Sequence, residues 1–293
     1  MTDVNERSRI FREMCLKADT ERDKGLTTPE NIARFDDIPY GTDEKWQILD
    51  VYRPKSAEGE KLPVIVSIHG GGWVYGSKEI YQFYCMDLAQ RGFVVVNFTY
   101  RLAPENRFPA SLEDTNTVFA WIRDNAEKYG FDLGNVFAVG DSAGAFCLSV
   151  YACILTNSVL AAEFGKYFSP ADVELKGIGL NCGLFTTADY DESLEAYLPK
   201  EPSEHAEVLR MLDAVSHITP DFPPAYILTA NADFLVDAPA VLIPVLAKNG
   251  VKYESKVYGT NESPLFHVFH CDIKTEAATH ANDDECGFFR GLM

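Results

Sequence analysis

The sequence is short of cations. Its 293 residues hold 26 lysines and arginines against 44 aspartates and glutamates, a formal charge of −18. A surface of that sign repels phosphate backbones and anionic headgroups, so neither nucleic acid nor a membrane is expected as a partner. Long apolar runs are missing too, and none approaches the roughly 18 residues of a membrane-crossing helix. Residues 1–6 lack the apolar core of a secretory signal. The seven cysteines, at 15, 85, 147, 153, 182, 271 and 286, are odd in number and form no Cys-x-x-Cys pair. They are expected as reduced thiols in a cytoplasmic protein. Histidine is scarce, with six residues at 69, 205, 217, 267, 270 and 280. The chain contains no internal repeat and no low-complexity linker.

What is present is an ordinary globular balance, 46% hydrophobic and 24% charged. The length allows one large α/β domain or two small ones. Short continuous apolar runs at 64–68, 94–98, 136–139, 178–180 and 225–229 fit strands buried on both faces of a parallel sheet. An alternating stretch at 251–258 and another at 46–52 read as further strands. Between them lie helical stripes, at 78–91, 110–129, 145–154, 238–249 and from 273 onward, with Pro244 expected to kink or break its helix. Phe11, Met14 and Leu16 suit a short amphipathic N-terminal helix, and Thr28-Pro29-Glu30 can start another. Residues 184–218 break the alternation. They carry Asp189, Asp191, Glu192, Glu195 and a short helical pattern through Val208, Leu209 and Leu212, and read as a lid. Strand–helix alternation implies helices on both faces of the sheet, with ligands beyond the carboxyl ends of its strands.

Two glycine-rich turns carry chemistry. Gly140-Asp141-Ser142-Ala143-Gly144 follows a strand and opens a helix, the context of a nucleophile elbow. His69-Gly70-Gly71-Gly72-Trp73 closes an earlier strand. A glycine triplet weakens the fold and gives no packing, so it is expected where a ligand approaches main-chain N–H groups. A serine hydroxyl needs a base to take its proton. His69 belongs to the glycine loop, His205 and His217 to the lid, and His280 to a polar tail, which leaves His267 or His270. The base needs an acid to hold its tautomer, and Asp233 or Asp237 follows the strand at 225–229. The order Ser, Asp, His is that of α/β-hydrolases. Ala143 N–H, beside the nucleophile, is the standard oxyanion donor, with others from the glycine loop. A metal on His267, His270 and Asp272 lacks a further spaced ligand cluster, so no metal and no cofactor is expected.

The motifs His69-Gly-Gly-Gly-Trp73, Tyr100-Arg-Leu-Ala-Pro-Glu105, Phe108-Pro-Ala110 with Asp114, Gly140-Asp-Ser-Ala-Gly144, Asp233-Phe-Leu-Val-Asp237 and His267-Val-Phe269 stand in order. Over residues 45–270 the chain resembles the hormone-sensitive-lipase-like branch of the α/β-hydrolases, bacterial carboxylesterases and acetyl esterases in particular. The resemblance implies Ser142 as nucleophile, Asp233 as acid, His267 as base, and Gly71, Gly72 and Ala143 as oxyanion donors. Arg101 and Asp114 match supports beneath the site. This chain departs from the family pattern at Ala145, Phe234 and Val268, where the family often has Gly, Pro and Gly.

The expected fold is therefore a single α/β-hydrolase domain over 1–293, a mostly parallel sheet flanked by helices. A small helical cap is expected from about 1–40 and 184–218. The expected activity is serine carboxylic-ester hydrolysis of short-chain, acetyl-like small-molecule esters through an acyl-enzyme. The same triad would also serve an arylformamidase or acylaminoacyl-peptide hydrolase, and the same fold a non-catalytic ligand-binding scaffold. A homodimer is compatible with all three.

Overall fold

The computed structural model describes residues 3–188 and 194–293; Asp189, Asp191 and Glu192 of the expected lid lie outside the described residues. Eight strands form one sheet: β1 (Ile32–Pro39), β2 (Ile48–Pro54), β3 (Leu62–Ile68), β4 (Val94–Phe98), β5 (Phe131–Asp141), β6 (Gly177–Asn181), β7 (Ala225–Ala230) and β8 (Tyr253–Tyr258). Their order is β1-β2-β4-β3-β5-β6-β7-β8. β2 runs antiparallel to both β1 and β4, and all other neighbours are parallel.

The apolar runs are covered on both sides because successive side chains point to opposite faces. Val64, Val66, Val96, Ala138 and Ile178 join one core with α3 (Ala110–Asp124), α5 (Ala143–Thr156) and α8 (Pro239–Lys248). Ile65, Val95, Phe137 and Val139 join the opposite core with α2 (Lys78–Ala89) and α9 (Glu276–Arg290). The short α4 (Ala126–Tyr129) ends at Gly130, and α6 (Ser158–Phe164) follows α5. α7 (His205–Leu212), in the expected lid, buries Val208, Met211 and Leu212 in the same core as α5.

Four expectations need correction. Residues 32–39, assigned to the cap although Phe35, Ile38 and Tyr40 read as a short extended stretch, are the edge strand β1, because their backbone pairs with β2 from Ile32↔Pro54 to Pro39↔Ile48. Thr28-Pro29-Glu30 starts no helix and leads directly into that strand; the Thr28 hydroxyl instead accepts from Arg34 Nη1 at 2.8 Å. Trp46 lies before β2, in a turn closed by Asp43. The helix at 239–248 runs through Pro244, whose neighbours Leu242 and Leu246 are fully buried on the core side. The packing of those leucines outweighs the single hydrogen bond that a proline removes.

The N-terminal helix α1 (Val4–Arg22) forms as expected, but only part of the expected stripe is covered. Phe11 packs against the core with Val4, whereas Met14 and Leu16 are at least half exposed. Polar groups fasten it as well. Arg12 donates to Val74 O at 2.6 Å and to Ala103 O at 2.8 Å, Tyr75 Oη donates to Asp19 at 2.7 Å, and Arg22 donates to Ile80 O at 2.8 Å.

Phe137 sits at the centre of the sheet, fully buried, with its ring stacked 4.7 Å from Phe289. Phe137→Ala is expected to lower the unfolding free energy by about 3–5 kcal/mol, because the rigid sheet cannot collapse into the void. Urea denaturation checks this, and a loss below about 1 kcal/mol would contradict the packing described.

Candidate active site

Ser142 joins β5 to α5 with φ 52° and ψ −117°, a backbone conformation outside the regions a non-glycine residue prefers. Such a residue costs on the order of 1–3 kcal/mol and persists only where its surroundings over-determine it. They do so here. Ser142 N–H donates to Asn181 O at 2.9 Å, and a Cβ on Gly144 would overlap with Ile68 O. The strand and the helix can therefore close on each other only with glycine at 144.

The glycine loop lies alongside, after β3. Gly71 has φ 104°, and a side chain there would overlap with Tyr75 O. Gly71 O caps the loop by accepting from Val74 N and Tyr75 N at 3.1 and 2.9 Å. Among the described residues the amides of Gly71, Gly72 and Ala143 have no acceptor. His69, at the base of the loop, is buried and stacked 4.0 Å from the Tyr100 ring, and burial pushes its pKa down to about 4. A buried tyrosine couples this loop to the elbow. Tyr81 Oη donates to Asp141 at 2.7 Å and accepts from Gly70 N–H at 3.0 Å.

Asp233 and His267 meet at the same edge of the sheet. His267 Nδ1 lies 2.9 and 3.0 Å from the two Asp233 oxygens, and Leu235 N–H donates to Asp233 at 2.8 Å. Burial pushes the Asp233 carboxyl up, but the bonds from His267, Leu235 N–H and the Cys182 thiol outweigh it and hold the pKa below its ordinary value. Two loops carry the pair. Asn231 clamps them, accepting from Leu265 N at 3.0 Å and donating to Thr260 O at 3.1 Å, while Ala232 N donates to Leu265 O at 3.0 Å. Val268, where the family pattern has glycine, takes φ 53°. The turn that aims His267 keeps its left-handed step with a β-branched residue, at a cost in strain.

The competitors separate by burial. Asp237 is exposed, and among the described residues only its backbone carbonyl is engaged, accepting from Ala240 N–H at 3.0 Å ahead of α8. His270 is fully buried, and burial drives its pKa down to about 3. Ser142 Oγ makes no hydrogen bond among the described residues; the Ser142 backbone N–H bonds to Asn181 O, and the residue after Asn181, Cys182, lies beside the pair. The sulfur of Cys182 lies within 4.8 Å of the nearest Asp233 oxygen and His267 nitrogen.

Three residues around the site escape sequence reasoning. Cys182 appears there only as one of seven reduced thiols, and Phe234 only as a departure from the family pattern. The Phe234 ring lies tilted by 43° over His267, with centroids 4.4 Å apart. Glu285, from α9, is buried and accepts from Asn181 Nδ2 at 2.9 Å, directly behind the elbow. No local pattern marks a contact between residues 104 positions apart. Two surface concavities of about 540 and 620 Å³ open elsewhere, and no residue named here as a site candidate lines them.

Burial raises Glu285 from an ordinary 4.5 to about 7. The native state thus holds a proton that the unfolded chain releases. Its contribution to stability is complete below about pH 4.5 and declines as pH rises through 7. Asp141 behaves alike between 3.8 and about 6, while the lowered Asp233 acts in the opposite sense. Glu285→Gln is therefore expected to unfold at higher urea than the parent at about pH 8 and at nearly the same urea at about pH 4.5. A gap that does not change with pH would overturn the assignment.

The family model described as BD-FAE matches residues 49–240. The esterase LipC of Mycobacterium tuberculosis is 27% identical over 212 residues, 68% of this chain and 51% of LipC. The chain spans about half the length of the first curated relatives it matches. The carboxylesterase NlhH of the same species is 29% identical over 256 residues, 83% of this chain and 79% of NlhH. Among solved structures, the C6-C4 SN3 inhibited esterase B from Lactobacillus rhamnosis superposes with a TM-score of 0.88 at 25% identity, over 98% of this chain and 96% of that one. No single helix among the described residues is long and apolar enough to cross a membrane. The family match runs from β2 to the start of α8, through both glycine turns and the acid loop, and the chain belongs to the BD-FAE family, within the hormone-sensitive-lipase-like branch of the α/β-hydrolases.

Proposed function

We propose that the protein is a serine carboxylic-ester hydrolase that cleaves short-chain acyl esters through an acyl-enzyme. The observation that carries this reading is the Asp233–His267 pair at 2.9–3.0 Å, facing the edge of the sheet where Ser142 stands in its strained turn. The bond to Asp233 places the imidazole proton on Nδ1 and leaves Nε2 free to act as the base. His267 takes the Ser142 proton as Oγ attacks the ester carbonyl, and the amides of Gly71, Gly72 and Ala143 receive the developing oxyanion. His267 then protonates the leaving alcohol, and water repeats the sequence to release the acid.

The short-acyl preference rests on the wall beside the glycine loop. Trp73 stacks on Tyr197 with ring centroids 5.2 Å apart and meets Phe146 edge-on at 5.2 Å, and all three rings are buried. We take this wall as the boundary of the acyl site, which would then admit only a small acyl chain. We assign the cap to α1 and the described parts of 184–218. Arg7 pairs with Glu195 and Arg107 donates to Glu195 O and Leu198 O, both at 2.8 Å, which supports that grouping. The seven unpaired cysteines support a cytoplasmic setting.

Ser142→Ala is expected to lower hydrolysis of 4-nitrophenyl acetate by at least about 10³-fold with an unchanged urea transition. Residual turnover near the parent level removes the mechanism. In an acyl-length series of nitrophenyl esters, kcat/KM is expected to peak at about two to four carbons. A maximum at long chains would show that the aromatic wall does not bound the acyl site.

A further inference from the structure

Phe234 is the most exposed large hydrophobic residue next to the site. It is 77% exposed, yet it sits one residue after Asp233, on a loop clamped by Asn231. Its ring lies over His267, tilted by 43°. A phenylalanine left in water on a rigid loop is unexplained by folding, since its burial contributes almost nothing to the native state. Its location has a chemical meaning. In the mechanism above, His267 hands its proton to the oxygen of the departing alcohol, so the alcohol must lie against the open side of this imidazole. The Phe234 ring, its centroid 4.4 Å from that of the imidazole, stands within reach of a group attached to that oxygen.

We propose that Phe234 is a specificity-determining residue, a platform that selects esters whose leaving alcohol is aromatic or bulky and apolar over methyl and ethyl esters. This rests on the reading of the site given above. Substrate binding would cover a ring that is otherwise wet, and an aromatic partner adds an offset-stacked or edge contact. Phe266, the residue before His267, is also exposed, at 63%.

The test compares benzyl acetate with methyl acetate in the parent, Phe234→Ala and Phe234→Tyr. The acetyl-enzyme is common to both esters, so deacylation is identical, and a contact with the alcohol appears in kcat/KM and not in a deacylation-limited kcat. Phe234→Ala is expected to lower kcat/KM for benzyl acetate about 10-fold and to leave methyl acetate within about twofold. Phe234→Tyr is expected to keep the parent ratio. An equal loss on both esters, with kcat lowered as well, would mean that the ring only positions His267, and it overturns the proposal. No loss on either ester overturns it too. Ser142→Ala run alongside separates the two readings: if it remains active, the serine mechanism fails, whereas an inactive Ser142→Ala with an unchanged benzyl-to-methyl ratio in Phe234→Ala removes only the platform.

Discussion

The whole site hangs on one unfavourable backbone conformation. Ser142 stays at positive φ because Asn181 O holds its N–H and because the helix behind it presses Gly144 onto the carbonyl of Ile68. These restraints come from strands on either side of β5, and the register Ile68↔Gly140↔Leu180 brings them level. A strained turn of this kind would relax in isolation. Three parallel strands in fixed register supply the over-determination, and the same register sets the glycine loop, the elbow and Cys182 side by side.

Beneath the elbow lies a second layer that is polar and almost wholly buried. Tyr81 joins Asp141 to Gly70, and Asn181 joins Glu285 to the strand that receives Ser142 N–H. Burying two carboxyls is costly unless they are protonated or well bonded. Both raised pKa values follow from that burial. The arrangement spends stability to keep two loops from sliding past one another, which is the positional accuracy that a preorganised oxyanion site requires.

Much of this was legible in the sequence, for physical reasons. Buried parallel strands write themselves as unbroken apolar runs, and a tight approach of backbones writes itself as glycine. Ser142, the glycine loop and the strands at 64–68 and 94–98 were therefore readable from neighbours alone. What stayed hidden depends on contacts between distant residues. β1 is a strand because β2 lies beside it. α1 is fastened by Arg12, Asp19 and Arg22 as much as by Phe11, while Met14 and Leu16 stay in water, so its apolar pattern alone does not say how it is held. Glu285, Cys182 and the contact of Phe234 with His267 carry no local signature at all. Residue reading alone leaves His270 open beside His267; in the structure His270 is buried and His267 is the one that meets Asp233.

The clamp at Asn231 has a wider consequence. Its side chain, with Ala232 N–H, ties the acid loop to the histidine loop at the base of everything from 234 to 258. α8 and β8 therefore form an excursion whose two ends are already pinned together. Evolution or an engineer can redecorate the exposed faces of that excursion, with Leu242 and Leu246 kept in the core and β8 kept on β7, while the carboxylate and imidazole keep their spacing. The exposed surface at this end of the sheet is accordingly a place where sequence can change without reaching the chemistry.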